Sequence, residues 1–82
     1  MALFGSRWSN QRVKELYDTA TSPGNHNIRI KSVDSLGNLA ANPQNDEEVK
    51  KEATKALSKI ANSPGNQEVR ERAIEVLGMV SA

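Results

Sequence analysis

The sequence predicts an all-α fold in which four antiparallel helices form one domain over residues 1–82. Apolar residues recur at the three- and four-residue spacing of a helix and do not alternate as they would in a strand. Three proline-containing segments interrupt this pattern at nearly even intervals. The tetrapeptide Ser-Pro-Gly-Asn at 22–25 recurs at 63–66, which indicates an internal repeat of 41 residues.

The prolines mark the ends of the helices. Pro23, Pro43 and Pro64 lack the N–H donor that a helix requires, and each disfavours helical backbone in the residue before it. The helices are therefore predicted near 8–21, 26–41, 46–62 and 66–80. Connectors this short force consecutive helices to pack antiparallel. An open stack of two helical hairpins and a compact four-helix bundle both satisfy this pattern.

The first two predicted helices each carry an apolar stripe. In the first helix Trp8 and Leu16 stand eight positions apart, within a loose pattern. In the second helix Ile28 and Leu36 have the same spacing. Side chains four and eight positions apart lie on one side of a helix, so this side is predicted to face the core.

The third and fourth helices repeat the pattern more cleanly. Val49 is followed eight positions later by Leu57, and Val69 by Leu77. Each leucine sits near the centre of its stripe, at the position that Leu36 occupies in the second helix. We expect these three leucines to be matched core residues, and truncation of any one should be costly.

Short polar residues stand where the last three helices begin. The predicted N-caps are Asn25, Asp46 and Asn66, whose side chains can accept the first free N–H groups. The Ser-Pro-Gly-Asn sequence also suits a type II turn. That turn would place Gly24 and Gly65 at positive φ.

The fourth segment carries the motif Val69-Arg70-x-x-Ala73-x-x-x-Leu77-Gly78, with related versions in the second and third segments. This motif resembles the second helix of HEAT-like repeats, especially the phycobilisome-lyase type, within the HEAT-like and armadillo-like α-solenoids. The resemblance covers about three of the four helices and implies a short α-solenoid that binds proteins across a concave surface. In that family the motif occurs once per two-helix repeat, whereas here it recurs in consecutive helices, which keeps the compact bundle open.

The segment 45–57 also resembles computationally designed helical repeats. Its caps and charge pattern are close to ideal, aromatic residues are few, and the chain has no cysteine. Residues 1–39 are less regular. A designed origin would imply a protein without a natural function.

The composition argues against catalysis. No cysteine is present, and His26 is the single histidine, at a helix start where a solvated role is expected. No nucleophile and base can be paired, no phosphate-binding loop occurs, and Asp46-Glu47-Glu48 is explained by helix capping. We therefore expect no enzyme, cofactor, metal or small-molecule substrate. No apolar run is long enough to span a membrane or act as a secretion signal, so a cytoplasmic protein is expected.

A protein-binding scaffold is the leading functional hypothesis. The 41-residue repeat relates the second helix to the fourth, and their exposed positions should share one face. The candidate protein-binding residues are Lys31, Asp34, Ser35, Asn38, Glu71, Arg72, Glu75 and Met79. If this face is open, reversing the charges of Arg72 and Glu75 together should leave stability nearly unchanged.

The alternative is a small nucleic-acid-associated regulator. Residues 1–40 hold five basic against three acidic side chains, although the whole chain is balanced at 11 to 10. Phosphate neutralisation and base stacking would use Arg7, Trp8, Arg12, Lys14 and Arg29. Trp8 aligns with a core position, which favours packing over binding.

Basic residues also occupy one matched position of the repeat. These are Arg29, Lys50 and Arg70. A ladder of hydrogen bonds to caps and helix ends is the favoured interpretation, and a row facing an anion is the alternative.

Overall fold

The computed structural model describes residues 8–62 and 66–81, and within these ranges the chain forms four α-helices and no strand. The helices are α1 (Gln11–Thr21), α2 (His26–Ala41), α3 (Glu47–Ala61) and α4 (Gln67–Ser81). The predicted all-α fold is therefore confirmed. The last three helices begin and end within one residue of the predicted positions.

The first helix begins three residues later than predicted. Asn10 has extended backbone and its side chain accepts a hydrogen bond from the Val13 N–H at 3.1 Å, so it is the N-cap of α1. Trp8 consequently lies before the helix, although it still reaches the core, with 8% of its surface exposed. Its ring packs at 46° to that of Tyr17, with 5.2 Å between the centroids.

All three predicted N-caps are confirmed in position, and two of them make the side-chain cap hydrogen bond. Asn25 accepts from the Asn27 and Ile28 N–H groups, and Asn66 accepts from the second and third residues of α4 in the same way. Asp46 occupies the cap position of α3, but its carboxylate makes no cap hydrogen bond. Two consecutive N–H groups are thus satisfied at the starts of α2 and α4.

The predicted type II turn is wrong at Gly24. No residue in 8–62 or 66–81 has positive φ, and the 22–25 connector runs as a series of bends. Asn25 itself has extended backbone, from which its side chain caps α2. Gly65 lies outside the described residues.

The helices are arranged in two layers. α2 and α3 pack against each other at the centre, and both α1 and α4 pack against this pair. In the part of the chain that the structure describes, α1 and α4 share no comparable interface. The hairpin α1–α2 therefore stacks on the hairpin α3–α4, so that α1 and α3 form one layer and α2 and α4 form the other. This pairing is compatible with a helical repeat.

The core lies between the layers, and two of the three predicted leucines are at its centre. Leu36 and Leu57 are fully buried. The prediction for Leu77 is wrong in degree, because this side chain is only partly buried and Val76 is the deeper residue. α4 is covered by α2 and α3 on one side only, so its buried stripe is narrow and Leu77 lies at the edge.

Glu52 of α3 holds the segment before α1 in place. Its two carboxylate oxygens accept hydrogen bonds from the Ser9 N–H at 2.8 Å and from the Asn10 N–H at 2.9 Å. Burial raises the pKa of Glu52, but these N–H groups and the nearby Lys55 lower it, and the pKa ends below its ordinary value. The charged carboxylate is thus the form that the fold stabilises.

We expect the Glu52 contribution to be lost in acid. Because the folded-state pKa is depressed, the stabilisation is complete above the unfolded value of about 4.3 and disappears as the pH falls through the folded value. Glu52→Gln should lower the free energy of unfolding by about 1 kcal/mol at neutral pH. Urea unfolding at neutral and acid pH should show the difference from the parent shrinking in acid. Glu15→Gln removes the same charge at an exposed site and is the control; a Glu52→Gln deficit that is independent of pH would contradict the assignment.

Candidate protein-interaction groove

Helices α2 and α4 lie side by side and run parallel. His26 Nε2 is 3.0 Å from Glu68 Oε1 at their N-terminal ends. Halfway along, Asp34 bonds to Arg72. Contacts that follow the same order along both helices require parallel axes, as expected for helices related by the internal repeat. His26, expected as a solvated residue, thus contacts its neighbouring helix.

A bidentate ion pair crosses the middle of this interface. Arg72 Nε donates to Asp34 Oδ1 at 2.7 Å and Nη2 donates to Oδ2 at 3.1 Å. Nη1 also lies 3.5 Å from Glu75 Oε1. The hydrogen bond and charge of Asp34, followed by the charge of Glu75, raise the pKa of Arg72. The guanidinium is therefore fixed in position while its edge stays open to solvent.

The Asp34–Arg72 ion pair removes the basis for the prediction that reversing Arg72 and Glu75 together leaves stability nearly unchanged. That prediction assumes that both residues lie on an open face. Arg72→Glu would instead set a second carboxylate against Asp34 in place of a bidentate partner. The double reversal should therefore destabilise the fold slightly, because the ion pair that it removes is open to solvent.

Beyond the ion pair the two helices come into very close contact at Gly37. A Cβ atom at this position would overlap Cγ1 of Val76. Gly37 is buried and Val76 is 3% exposed. The missing side chain therefore lets α4 approach the backbone of α2 at this point.

A groove of about 480 Å³ opens on the C-terminal side of the ion pair. Apolar groups form much of its lining, and Asn38 and the Asp34–Arg72 pair supply polar groups. The apolar contributors are Gly37, Ala41, Val76, Met79 and Val80. Met79 is 70% exposed, so a large flexible apolar side chain stands open at the rim.

A second, smaller groove of about 300 Å³ lies on the N-terminal side of Arg72. Three of its lining residues are acidic, namely Glu68, Glu71 and Glu75. Arg72 is shared by the two grooves. The interface thus offers an apolar groove next to an acidic one, separated by a guanidinium that is already paired.

All eight candidate protein-binding residues lie on α2 or α4, and the structure brings six of them to these grooves. Asp34, Asn38, Arg72 and Met79 line the larger groove, and Glu71, Arg72 and Glu75 line the smaller one. Lys31 is exposed and Ser35 partly buried, and neither lines these two grooves.

Sequence reasoning missed the residues that form the apolar lining. These are Gly37, Ala41, Val76 and Val80. The sequence contains one signal for this lining, because Gly37 follows Leu36 just as Gly78 follows Leu77 in the repeat motif. A glycine at one repeat position in two helices indicates a close approach of backbones.

The candidate nucleic-acid residues are dispersed. Trp8 is buried against Tyr17, so its ring offers little surface for base stacking. Lys14 Nζ pairs with Asp18 Oδ2 at 3.0 Å, and Arg12 is exposed nearby. Arg29 lies beyond the opposite end of α1, and Arg7 is outside the described residues.

The matched basic position follows the predicted ladder in part. Arg29 Nε donates to the Ala20 carbonyl in the last turn of α1 at 3.3 Å, as predicted for a bond to a helix end. Arg29 and Arg70 line the same small cleft. Lys50 does not extend this ladder, because its Nζ pairs within α3 with Glu47 Oε2 at 3.3 Å.

Within residues 8–62 and 66–81, no group of three or more histidine and acidic side chains is arranged to hold a metal ion. Over the same ranges, every helix is too short or too polar to cross a membrane. No protein-family model, curated protein or solved structure matches this chain.

Proposed function

We propose that this chain is a non-enzymatic protein-interaction module, and that the larger α2–α4 groove receives a segment of another protein. The groove itself carries the proposal, because it combines an apolar lining with polar groups at its edge. A depression of about 480 Å³ accommodates one or two side chains of a partner. The polar rim supplies direction, as at the margins of protein interfaces.

The two-layer pairing of the helices supports a short HEAT-like α-solenoid as the framework for this groove. Parallel α2 and α4 are displaced copies of one element, and such repeated elements form extended binding surfaces. The resemblance to designed helical repeats rests on the sequence of segment 45–57. A designed chain would present the same groove without a natural partner.

The chemistry of the grooves defines the partner. The larger groove favours an apolar side chain, packed between Met79 and Val76. The smaller groove favours a basic side chain, because Glu71 is exposed there and the carboxylates of Glu68 and Glu75, which also contact His26 and Arg72, lie beside it. We propose a segment in which an apolar residue and a basic residue lie close enough to occupy both grooves at once.

Nucleic-acid binding is the less supported alternative. Burial of Trp8 removes the main stacking group, and Lys14 and Arg29 already have hydrogen-bond partners within the chain. Fluorescence anisotropy with a labelled oligonucleotide separates the two functions. Tight binding that weakens steeply with salt would favour nucleic acid and count against the protein-binding proposal.

Site-specific crosslinking identifies the partner and tests the proposal. A photoreactive residue in place of Asn38 should capture a partner protein, whereas the same residue in place of Lys55, exposed on α3, should not. Mass spectrometry of the crosslinked peptide should show an apolar and a basic residue near the crosslink. Equal capture from both positions would contradict a specific role for the groove.

Filling the groove should weaken binding while leaving the fold intact. Ala41 is exposed at its edge, so Ala41→Lys should change the free energy of unfolding by no more than about 0.5 kcal/mol. It introduces bulk and positive charge into the groove, and we expect affinity for the crosslinked partner to fall at least tenfold, roughly 1.4 kcal/mol. Calorimetry with the partner peptide measures the loss.

Gln11→Lys on α1 adds the same charge to the other layer and is the matched control. It should bind as the parent does. Unchanged affinity of Ala41→Lys, with the fold shown to be intact by circular dichroism, would place the binding surface elsewhere.

A further inference from the structure

The two α2–α4 grooves lie in line between parallel helices, and this arrangement limits the shape of a bound segment. The larger groove lies toward the C-terminal ends of α2 and α4, and the smaller groove toward their N-terminal ends. Arg72 lines both grooves and stands between them, where it pairs with Asp34. A segment that occupies both grooves at once must therefore run along the two helices and cross this ion pair.

The lining of the grooves favours a helical segment over an extended one. Addition of a strand requires a sheet edge with free backbone groups, and residues 8–62 and 66–81 form no strand. Docking of a polyproline helix requires an aromatic groove, and none of the described residues that line these two grooves is aromatic. An apolar groove between packed helices binds peptides in a third common way, in which the ligand is an amphipathic helix.

The separation of the two grooves sets the spacing of the side chains that would occupy them. Along α4 the middle of the larger groove lies about five residues beyond that of the smaller one, and along α2 it lies about ten residues beyond. At about 1.5 Å of rise per residue, these offsets are roughly 8 and 15 Å, so a segment midway between the helices spans about 11 Å. Seven residues of helix rise about 10.5 Å and return to the same face.

The charges around the grooves set the direction of the bound helix. Both α2 and α4 begin beside the smaller groove, and the start of a helix carries partial positive charge. A helix that runs antiparallel to them brings its C-terminal end, with partial negative charge, to this position. Its basic residue then lies toward its own C-terminal end, where a cation is also favoured. The apolar residue should therefore precede the basic one in the partner sequence.

We propose, on the basis of the protein-interaction function above, that the partner is an amphipathic helix antiparallel to α2 and α4, with an apolar residue followed seven positions later by a basic one. The apolar residue packs against Val76 and Met79 in the larger groove. The basic residue approaches exposed Glu71 in the smaller groove. The side chain that crosses Arg72 is small, because a large apolar group would cover a guanidinium that is open to solvent.

Model peptides test the spacing and the direction. The probe is a helical peptide of alanine and glutamine, about 20 residues long, with one leucine and one arginine seven positions later. NMR titration of the labelled protein should show shifts at the Asn38 and Glu71 amides. An isomer with a spacing of four residues keeps both side chains on one face and should bind at least tenfold more weakly. The isomer with arginine first should bind about two- to fivefold more weakly, the range of a helix-dipole effect.

A helix-breaking peptide and a charge exchange test the conformation and the contact. Proline four positions after the leucine disrupts the peptide helix and should weaken binding at least tenfold. Glu71→Lys should weaken binding of the parent peptide by a similar factor, and glutamate in place of the peptide's arginine should restore it. Glu15→Lys on α1 is the matched control, because Glu15 is exposed and bonds to Gln11 as Glu71 bonds to Gln67. It should bind as the parent does.

The outcomes separate this proposal from the function on which it rests. Absence of groove shifts with the seven-spaced peptide, equal binding of the four-spaced or proline peptide, or failure of the charge exchange would overturn the helical partner. Equal binding of the reversed isomer would overturn the antiparallel direction. In each case, specific photocrosslinking from position 38 would still support a protein partner in the groove, whereas equal capture from positions 38 and 55 would count against the function itself.

Discussion

Leu57→Ala should lower the free energy of unfolding by about 2–5 kcal/mol, the largest effect that we expect from one substitution. Leu57 is fully buried where α3 packs against the other helices, so the truncation removes apolar contacts and leaves a cavity. Domains of this size have only about 5–15 kcal/mol of stability, and a large fraction of the variant molecules should therefore unfold readily. Urea denaturation followed by circular dichroism measures the change.

Leu77→Ala is the matched control for this prediction. It makes the same chemical change at the same repeat position, but Leu77 is only partly buried at the edge of α4. Its cost should be clearly smaller, about 1–2 kcal/mol on the scale of apolar area removed from water. Equal midpoints for the two variants would show that the burial of α4 has been misjudged.

Gly37→Ala and Gly78→Ala should change stability in opposite directions. Alanine at position 37 must displace Val76, a buried β-branched residue with few alternative rotamers. We expect overpacking to cost about 1–3 kcal/mol, against a gain of about 1 kcal/mol in helix propensity. Alanine at position 78 meets no neighbour and should stabilise the fold by up to about 1 kcal/mol.

Thermal and urea unfolding of the two alanine variants provide the comparison. The double variant Gly37→Ala with Val76→Ala should show non-additive costs, because the second truncation removes the atom that the first one displaces. A stabilising Gly37→Ala would mean that α2 and α4 can move apart without loss.

The helices were predictable because their signals are local. Proline breaks and short polar caps act within a few residues, and they set the limits of α2, α3 and α4 to within one residue. The start of α1 has a local signal too, the Asn10 cap, but Trp8 fitted the apolar pattern and the helix was predicted to start three residues too early. The contact that fixes the segment before α1 is not local. Glu52 accepts hydrogen bonds from Ser9 and Asn10, more than 40 residues earlier in the chain, and no local pattern reveals such a contact.

For the candidate site, the location of the residues was predictable from the sequence, but the contacts between them were not. The repeat places equivalent faces of α2 and α4 side by side, so the general location of the predicted residues followed from the sequence. The pairings themselves depend on how far the helices are shifted along their axes. Asp34 meets the residue 38 positions later, and Gly37 meets the residue 39 positions later.

The two-layer pairing described above distributes resistance to local opening unevenly along the chain. α2 and α3 are each held by three neighbouring helices, whereas α1 and α4 are each held by two. The backbone amides of α2 and α3 should therefore be the last to exchange with solvent, with α1 and α4 opening first as separate flanks. The larger groove is formed where a slowly opening helix meets a more readily opening one, so a partner bound there would also hold α4 in place and slow exchange along its length.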